Sequence, residues 1–182
     1  MSRKFETIVI DPPWPGPGAS PSFKVGRPHV PIPYSTMTGI QLAALRIDDL
    51  ASPRAQVFLW VTSRHMQEAG LLMELWGFSY AALFVWDKRC LGLGRHVRHQ
   101  CEFVLWGRRP GATLVAPKKC PHQIHAWPKP RRHSEKPAEA YALFRRLGSA
   151  PRLDLFARQK RPGFIPFGNQ IGKLGQATAA TS

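Results

Sequence analysis

The residues best suited to chemistry are Asp11-Pro12-Pro13-Trp14, which directly follow the apolar run Thr7-Ile8-Val9-Ile10. The carboxylate of Asp11 and the main-chain carbonyl of Pro12 can each accept one N–H bond, and together they could hold both hydrogens of an exocyclic amine. Two prolines fix φ at about −65° and remove two competing donors, so the Pro12 carbonyl keeps one direction. Trp14 offers an aromatic face to an extruded base. The tetrapeptide therefore predicts methylation of a nucleobase amine, and a Pro-rich turn after an edge strand is the alternative.

The chemistry of this reaction explains why such residues are needed. The exocyclic amine of adenine or cytosine is a poor nucleophile, because its lone pair is delocalised into the ring. Hydrogen bonds to Asp11 and Pro12 would draw that lone pair out of conjugation and direct it at the electrophilic methyl group of S-adenosylmethionine. No strong general base is required, since the amine becomes acidic only as the N–C bond forms.

Composition and charge favour one globular domain with a nucleic-acid partner. The chain has 182 residues and 43% hydrophobic content, enough for one core. Its 26 Lys and Arg against 11 Asp and Glu give a net charge of +15, as expected for binding a polyphosphate. We expect a methyltransferase domain over residues 1–174 and a flexible tail over 175–182.

The sequence also bears on the compartment. The first four residues show no secretory pattern, and no apolar run approaches the roughly 18 residues that cross a bilayer. The three cysteines, Cys90, Cys101 and Cys120, form no C-x-x-C pair and fit a reducing compartment. We therefore expect no membrane association and a cytoplasmic location in a bacterium or a phage-infected host cell.

Apolar runs and amphipathic periods predict strands and helices in alternation. Strands are predicted over residues 5–10, 56–61, 79–86, 101–106 and 152–156, with a further short strand at 113–116, and helices over 39–50, 64–76 and 137–147. The run at 101–106 is as apolar as a buried parallel strand. Residues 14–34, rich in Pro and Gly, are predicted to form a long functional loop, a candidate lid. The repeated units favour a doubly wound α/β sheet. Because G-x-G-x-x-G does not follow the first strand, other residues must bind the cofactor.

With these elements in place, the chain resembles the permuted, beta-class adenine-N6 methyltransferases that share the Asp-Pro-Pro-Trp signature, which are related to the catalytic subunit of the mRNA adenosine methyltransferase. The likeness covers nearly the whole chain. Its blocks are Ile10-Asp11-Pro12-Pro13-Trp14, Pro33-Tyr34-Ser35-Thr36-Met37, Phe58-Leu59-Trp60-Val61-Thr62, Trp76-Gly77-Phe78, Trp86-Asp87-Lys88, Gln100-Cys101-Glu102, His133-Ser134-Glu135-Lys136-Pro137, Leu155-Phe156-Ala157-Arg158 and Phe167-Gly168-Asn169-Gln170. The resemblance implies a single-domain, Rossmann-like methyltransferase fold with a circularly permuted motif order and S-adenosylmethionine as the cofactor.

The resemblance also implies roles for particular positions. Beside the catalytic tetrapeptide, the positions expected to contact the cofactor are Asp11, Pro13, Lys136, Arg158, Asn169 and Gln170. Lys136 would meet its amino-acid moiety, Arg158 its ribose, and Asn169 with Gln170 its ribose and adenine edge. The positions expected at the acceptor base are Tyr34, Glu102 and Ser134. No metal is implied. Each of Lys136, Arg158 and Asn169 could instead have an ordinary structural duty.

The chain departs from the family pattern at four positions. Cys101, Asp87, Glu135 and Phe164 stand where the family usually has His, Val, Arg and Trp. The core chemistry is unaffected by these changes. Asp87 and Glu135, however, bring two carboxylates near the expected substrate mouth and bear on acceptor preference.

Several functional alternatives remain at this stage. DNA is expected as the acceptor. RNA is the nearest rival, because the attraction of a basic protein to phosphates does not depend on the sugar. A catalytically silent nucleic-acid scaffold and a cytosine-amine methyltransferase are the others, and the enzyme could form a homodimer or need a partner subunit. Cys120, His122 and His125 match no standard zinc spacing. Basic clusters around Trp127 suit a single strand or a flipped base.

Overall fold

The apolar runs of the sequence form the strands of one mixed sheet, and the amphipathic stretches between them form helices. The structure is a computed structural model that describes residues 4–16, 35–92, 97–112, 120–130, 134–168 and 171. The elements in chain order are β1 (Phe5–Ile10), α1 (Gly39–Ala43), α2 (Ile47–Leu50), β2 (Ala51–Val61), a 3₁₀ turn at Ser63–His65, α3 (Met66–Leu75), β3 (Ser79–Asp87), β4 (Cys101–Arg108), β5 (Ile124–His125), α4 (Ala138–Leu147), β6 (Arg152–Leu155) and β7 (Ile165–Phe167). The expected α/β architecture, with helices packed on both faces of one sheet, is confirmed.

The strands are arranged in the order β5-β3-β4-β2-β1-β6-β7. β1 lies near the middle and pairs in parallel with β2 on one side and β6 on the other. β6 pairs in parallel with β7, whereas β4 is antiparallel to both β2 and β3. The chain therefore leaves β1 toward one half of the sheet and, after β6, continues into the other half.

Two apolar cores cover the two faces of this sheet, because alternate residues of each central strand point to opposite sides. Ile8 and Ile10 belong to the core that packs under α1, α2 and α3, and Val9 belongs to the core under α4. In the second core Phe58 and Phe144 stack with ring centroids 4.4 Å apart. Burial of each such side chain contributes about 1.5–3 kcal/mol to the stability of the fold. Because both faces of the sheet are packed in this way, the ends of the central strands are held in place.

The expected single helix over 39–50 is wrong, because the chain forms α1 and α2 with a break at residues 44–46. Thr38 and Gln41 form a reciprocal capping box that starts α1. Leu42 and Ile47 are both fully buried, yet five positions of a straight helix would place them about 140° apart. The break allows both side chains to reach the same core.

Other boundaries also differ from expectation. The strand expected at 101–106 forms β4, which is antiparallel rather than parallel to its neighbours. β2 begins at Ala51, five residues before the predicted start, and β5 and β7 were not predicted. The predicted strand at 113–116 and tail at 175–182 lie outside the described residues. The helices at 64–76 and 137–147 are confirmed as α3 and α4, and Gly77, with φ of 78°, follows α3.

None of the helices in the described part of the chain is long and apolar enough to cross a bilayer.

Candidate active site

Asp11 lies at the carboxyl end of β1, the strand from which the chain first builds one side of the sheet and later, with β6 and β7, the other. Its main-chain N–H donates to the carbonyl of Leu155, the last residue of β6, at 3.4 Å. Ligands of open α/β sheets bind at such a switch point, in the crevice between diverging strands. The start of β4 lies at the same edge, because β4 runs antiparallel to β2. The topology thus gathers the ends of β1 and β6 and the beginning of β4 in one place.

A small cleft of about 20 Å³ lies at this edge and is open to solvent. The lining residues come from the end of β1, from β6 and the segment after it, and from α4 and the segment before it. They are Asp11, Ser134, Glu135, Lys136, Tyr141, Asp154, Phe156, Ala157, Arg158, Gln159 and Arg161. Asp11, Ser134, Lys136 and Arg158, all selected from the sequence, therefore share one cleft.

Asp11 and Lys136 form a buried ion pair in this cleft. Lys136 Nζ lies 3.1 Å from Asp11 Oδ1, and the two side chains are 11% and 12% exposed. Burial raises the pKa of the Asp11 carboxyl, and the charges of Lys136 and Arg158 oppose that shift. The Lys136 ammonium also lies 5.2 Å from the centre of the Trp60 ring, within cation–π range. One oxygen of Asp11 is thus held in a fixed direction.

Glu102 extends this pair into a row of alternating charges. Its Oε2 lies 2.9 Å from Lys136 Nζ, and its Oε1 lies 3.3 Å from Lys88 Nζ. Burial alone would raise the pKa of Glu102, but the two ammonium groups lower it to about 2. Burial likewise disfavours the Lys136 ammonium, yet Asp11 and Glu102 raise the pKa of this lysine. Glu102 was expected at the acceptor base. It contacts Lys136, which lines the cleft.

The backbone of the tetrapeptide is tied at successive positions. The Trp14 N–H donates to the Pro12 carbonyl at 2.8 Å, closing a tight turn, and the Met37 N–H donates to the Pro13 carbonyl at 2.9 Å. The Trp14 indole Nε1–H donates to the carbonyl of Trp60 at 2.9 Å. A carbonyl oxygen has two lone pairs, so Pro12 keeps one acceptor position while its direction is fixed.

One face of Trp14 is covered by a residue that the sequence analysis missed. The ring of His65 stacks on Trp14 with centroids 5.0 Å apart and an interplanar angle of 13°. Because Val61 ends a strand parallel to β1, the residues just after it must lie at the same edge as Asp11. The sequence signal was the position of His65 shortly after the predicted strand 56–61, whereas the stack on Trp14 follows from no motif.

The cleft also contains a buried carboxyl that sequence reasoning did not assign. Asp154 is 2% exposed, and the Tyr141 hydroxyl donates to its Oδ1 at 3.0 Å. Burial raises the pKa of Asp154 to about 7, although the Tyr141 bond opposes this shift. The guanidinium of Arg161 lies 4.4 Å from the Tyr141 ring centre. The signal in the sequence was an acidic residue inside the apolar strand Leu153-Asp154-Leu155.

Other predicted positions fall elsewhere. Tyr34, Asn169 and Gln170 lie outside the described residues. The remaining histidines and cysteines of the described ranges form no group of three or more metal-ligating side chains. His125 instead stacks on Trp127, with ring centroids 4.3 Å apart.

Comparison with known proteins adds to this geometry. The sequence profile of the MT-A70 family matches residues 5–170. The type II methyltransferase M.MunI of Mycoplasma sp is 29% identical over 187 residues, covering 93% of this chain and 78% of that protein. A probable N(6)-adenosine-methyltransferase MT-A70-like protein of Oryza sativa subsp. japonica is 31% identical, and the catalytic subunit METTL3 of the Homo sapiens N(6)-adenosine-methyltransferase is 28% identical. The alignments cover 92% of this chain but only 23% and 28% of those two proteins.

Proposed function

Since the chain belongs to the MT-A70 family, we propose that it transfers a methyl group from S-adenosylmethionine to the N6 amine of adenine in nucleic acid, with DNA as the acceptor. The observation that carries the proposal is the buried Asp11 carboxylate at the end of β1, with one oxygen held by Lys136 beside an open cleft. This carboxylate faces the crevice where ligands of this fold class bind.

The cleft residues fit the polar groups of S-adenosylmethionine. That molecule has an ammonium, a carboxylate and a ribose diol, and when bound it supplies an electrophilic methyl group on a sulfonium. Asp11 and Asp154 offer acceptors to the ammonium and the hydroxyls. Lys136 and Arg158 offer donors to the carboxylate and the ribose. Acidic and basic side chains line the same cleft, so its donor and acceptor set matches this cofactor.

Asp11 and Pro12 orient the acceptor amine in the proposed reaction. Because Lys136 occupies Asp11 Oδ1, Oδ2 is the oxygen that accepts one amine hydrogen. The remaining lone pair of the Pro12 carbonyl accepts the other, and the turn closed by Trp14 N–H keeps that carbonyl in place. The nitrogen then forms the N–C bond as the S–C bond breaks, and the excess proton leaves to water. Fixing two hydrogen-bond acceptors in advance lowers the barrier without a general base.

Similarity favours DNA as the acceptor, whereas charge favours a nucleic acid without separating DNA from RNA. The net charge of +15 supplies sequence-independent attraction to phosphates. The alignment spans most of the type II methyltransferase M.MunI but about a quarter of the N(6)-adenosine-methyltransferases. RNA is the alternative outcome of the test below.

The test is mass spectrometry of nucleosides from DNA and RNA, digested separately, from a host that expresses the protein. We expect N6-methyladenine in the DNA fraction, and its appearance only in RNA would reassign the acceptor. Asp11→Asn keeps the shape of the side chain but removes its charge, so methylation should fall by at least a hundredfold, the range for a transition-state donor or acceptor. Asp48→Asn, at an exposed site on α2, is the matched control. Full activity of Asp11→Asn would refute the proposed role.

A further inference from the structure

We propose that His65 is a positioning residue for methyl transfer, which holds Trp14 and Pro15 in place only while both of its ring nitrogens carry protons. This inference deepens the proposed function and rests on it for its kinetic test. It concerns the geometry of the catalytic turn rather than contact with the reacting atoms.

Three contacts fix the His65 ring. It stacks on Trp14, one ring nitrogen lies 3.1 Å from the Pro15 carbonyl oxygen, and the other lies 2.9 Å from Glu68 Oε2. The His65 side chain is 12% exposed, and that of Glu68 is 39% exposed. The ring therefore joins the turn after β1 to the first turn of α3.

The two polar partners of His65 are both acceptors. A peptide carbonyl and a carboxylate each require an N–H, whereas a neutral imidazole carries only one. Satisfying both contacts requires an imidazolium, which also favours the stack on the Trp14 face. Glu68 is the one charged group with a recorded contact to His65 among the described residues. Loss of one ring proton leaves either Pro15 or Glu68 without its donor.

Glu68 is itself placed by close packing against α1. A Cβ atom added to Gly39, the first residue of α1, would lie 1.8 Å from Glu68 Oε1. Glycine at this position thus allows the carboxylate to lie against the helix start. The neighbouring Met37 N–H donates to the Pro13 carbonyl. The His65 and Glu68 pair consequently contacts both the segment that leaves the catalytic turn and the segment that returns to it.

The contacts at His65 reach the acceptor carbonyl through Trp14. The Trp14 N–H donates to the Pro12 carbonyl, so a shift of the Trp14 ring changes the direction of that carbonyl. Misdirection of a transition-state acceptor lowers kcat more than it changes KM. A residue that serves only folding would lower thermal stability without this split.

The kinetic test compares His65→Phe, His65→Gln and Glu68→Gln with wild type. His65→Phe retains a ring to stack on Trp14 but loses both hydrogen bonds, of which the one to the Pro15 carbonyl reaches the catalytic turn. Loss of that hydrogen bond should lower kcat roughly tenfold, with KM within about threefold. The glutamine at 65 has an N–H donor and should recover part of the loss. Glu68→Gln removes the charge at the same helix position and should lie between wild type and His65→Phe. Glu74→Gln, exposed on the same helix, is the matched control and should leave kcat unchanged.

The pH dependence provides a second readout. The ratio of wild-type kcat to that of His65→Phe should decline as pH rises, because His65 can donate to both of its acceptors only with a proton on each ring nitrogen. A constant ratio, or equal kcat values for the two proteins, would overturn the proposal. Unchanged melting temperatures would confirm that folding is not the cause of the kinetic loss.

A direct measurement keeps this inference separate from the proposed function. In protein labelled with ¹⁵N-histidine, the His65 signals can be assigned by their loss in His65→Phe. We expect both ring nitrogens to be protonated at the pH of the methylation assay, and an unprotonated nitrogen there would overturn the proposal whether or not the protein is active. A wild-type protein that forms no methyladenine, with His65 doubly protonated, would instead refute the methyltransferase function. The inference that His65 holds Trp14 and Pro15 would still stand.

Discussion

Replacing Glu102 with glutamine removes the negative charge that bridges Lys136 and Lys88, while it keeps the size of the side chain. Glu102 is 19% exposed and lies 2.9 Å and 3.3 Å from the two ammonium groups. In the variant, Lys136 retains Asp11 at 3.1 Å, so the cleft keeps one ion pair. The change therefore tests the contribution of Glu102 without leaving Lys136, the more buried of the two ammonium groups, unpaired.

The size of the effect follows from the pKa of Glu102, which the ammonium groups lower from 4.5 to about 2. A carboxyl whose folded pKa lies below its unfolded pKa stabilises the fold above the unfolded value and loses that stabilisation as pH falls through the folded value. The shift corresponds to about 3 kcal/mol at pH 7. Since the contribution decreases below pH 4.5, about 2 kcal/mol should remain at pH 3.5.

Urea unfolding of wild type and Glu102→Gln at several pH values between 7 and 3.5 measures this difference. The free energy of unfolding should differ by about 3 kcal/mol at pH 7, and the gap should narrow toward low pH. Glu74→Gln is the control at an exposed position, with a change within about 0.5 kcal/mol at every pH. Equal stability of Glu102→Gln and wild type at pH 7, or a gap that widens toward acid, would refute the reasoning.

Two further substitutions test other parts of the structure. Asp154→Asn should stabilise the protein at pH 8 by up to about 4 kcal/mol, because burial raises the folded pKa of Asp154 from 3.8 to about 7 and the fold therefore loses stability as pH rises through that range. Urea unfolding at pH 4 should show the difference largely gone, and a gain that is larger at pH 4 than at pH 8 would contradict this account. Gly107→Ala would place a Cβ 2.4 Å from Met73 Sδ and 2.9 Å from Val57 Cγ1, so thermal unfolding should show a loss of about 1–3 kcal/mol. An unchanged melting temperature would mean that α3 moves away from the sheet at little cost.

The sequence was sufficient for features that depend on local pattern. Phe5–Ile10 is a strand that ends in the apolar residues Ile8, Val9 and Ile10, so the position of Asp11 at its end followed directly. Pro137 and Gly148 flank α4 as expected from their backbone preferences. The break between α1 and α2 was missed, because it depends on two side chains reaching one core.

Contacts between distant residues could not be derived from pattern alone. Lys136 and Glu102 are 34 positions apart, and their meeting requires that β4 be antiparallel, which its apolar composition did not indicate. β5 and β7 have two and three residues, too few to show a period. His65 was missed because its role arises from the stack on Trp14 rather than from any motif.

The pairing of β3 with β4 has a consequence for how this protein can vary. Trp86 pairs with Glu102 and Asp87 with Cys101 at the mouth of a hairpin whose connection begins at Lys88. Residues added to that connection leave the ladder in register, so the length of this hairpin tip can change while Glu102 still meets Lys136. Deleting a single residue between Glu102 and Val104 would instead rotate the carboxylate to the other face of the sheet. Natural or engineered changes in the length of this hairpin should therefore occur as insertions at the tip, with the strand itself constant in length.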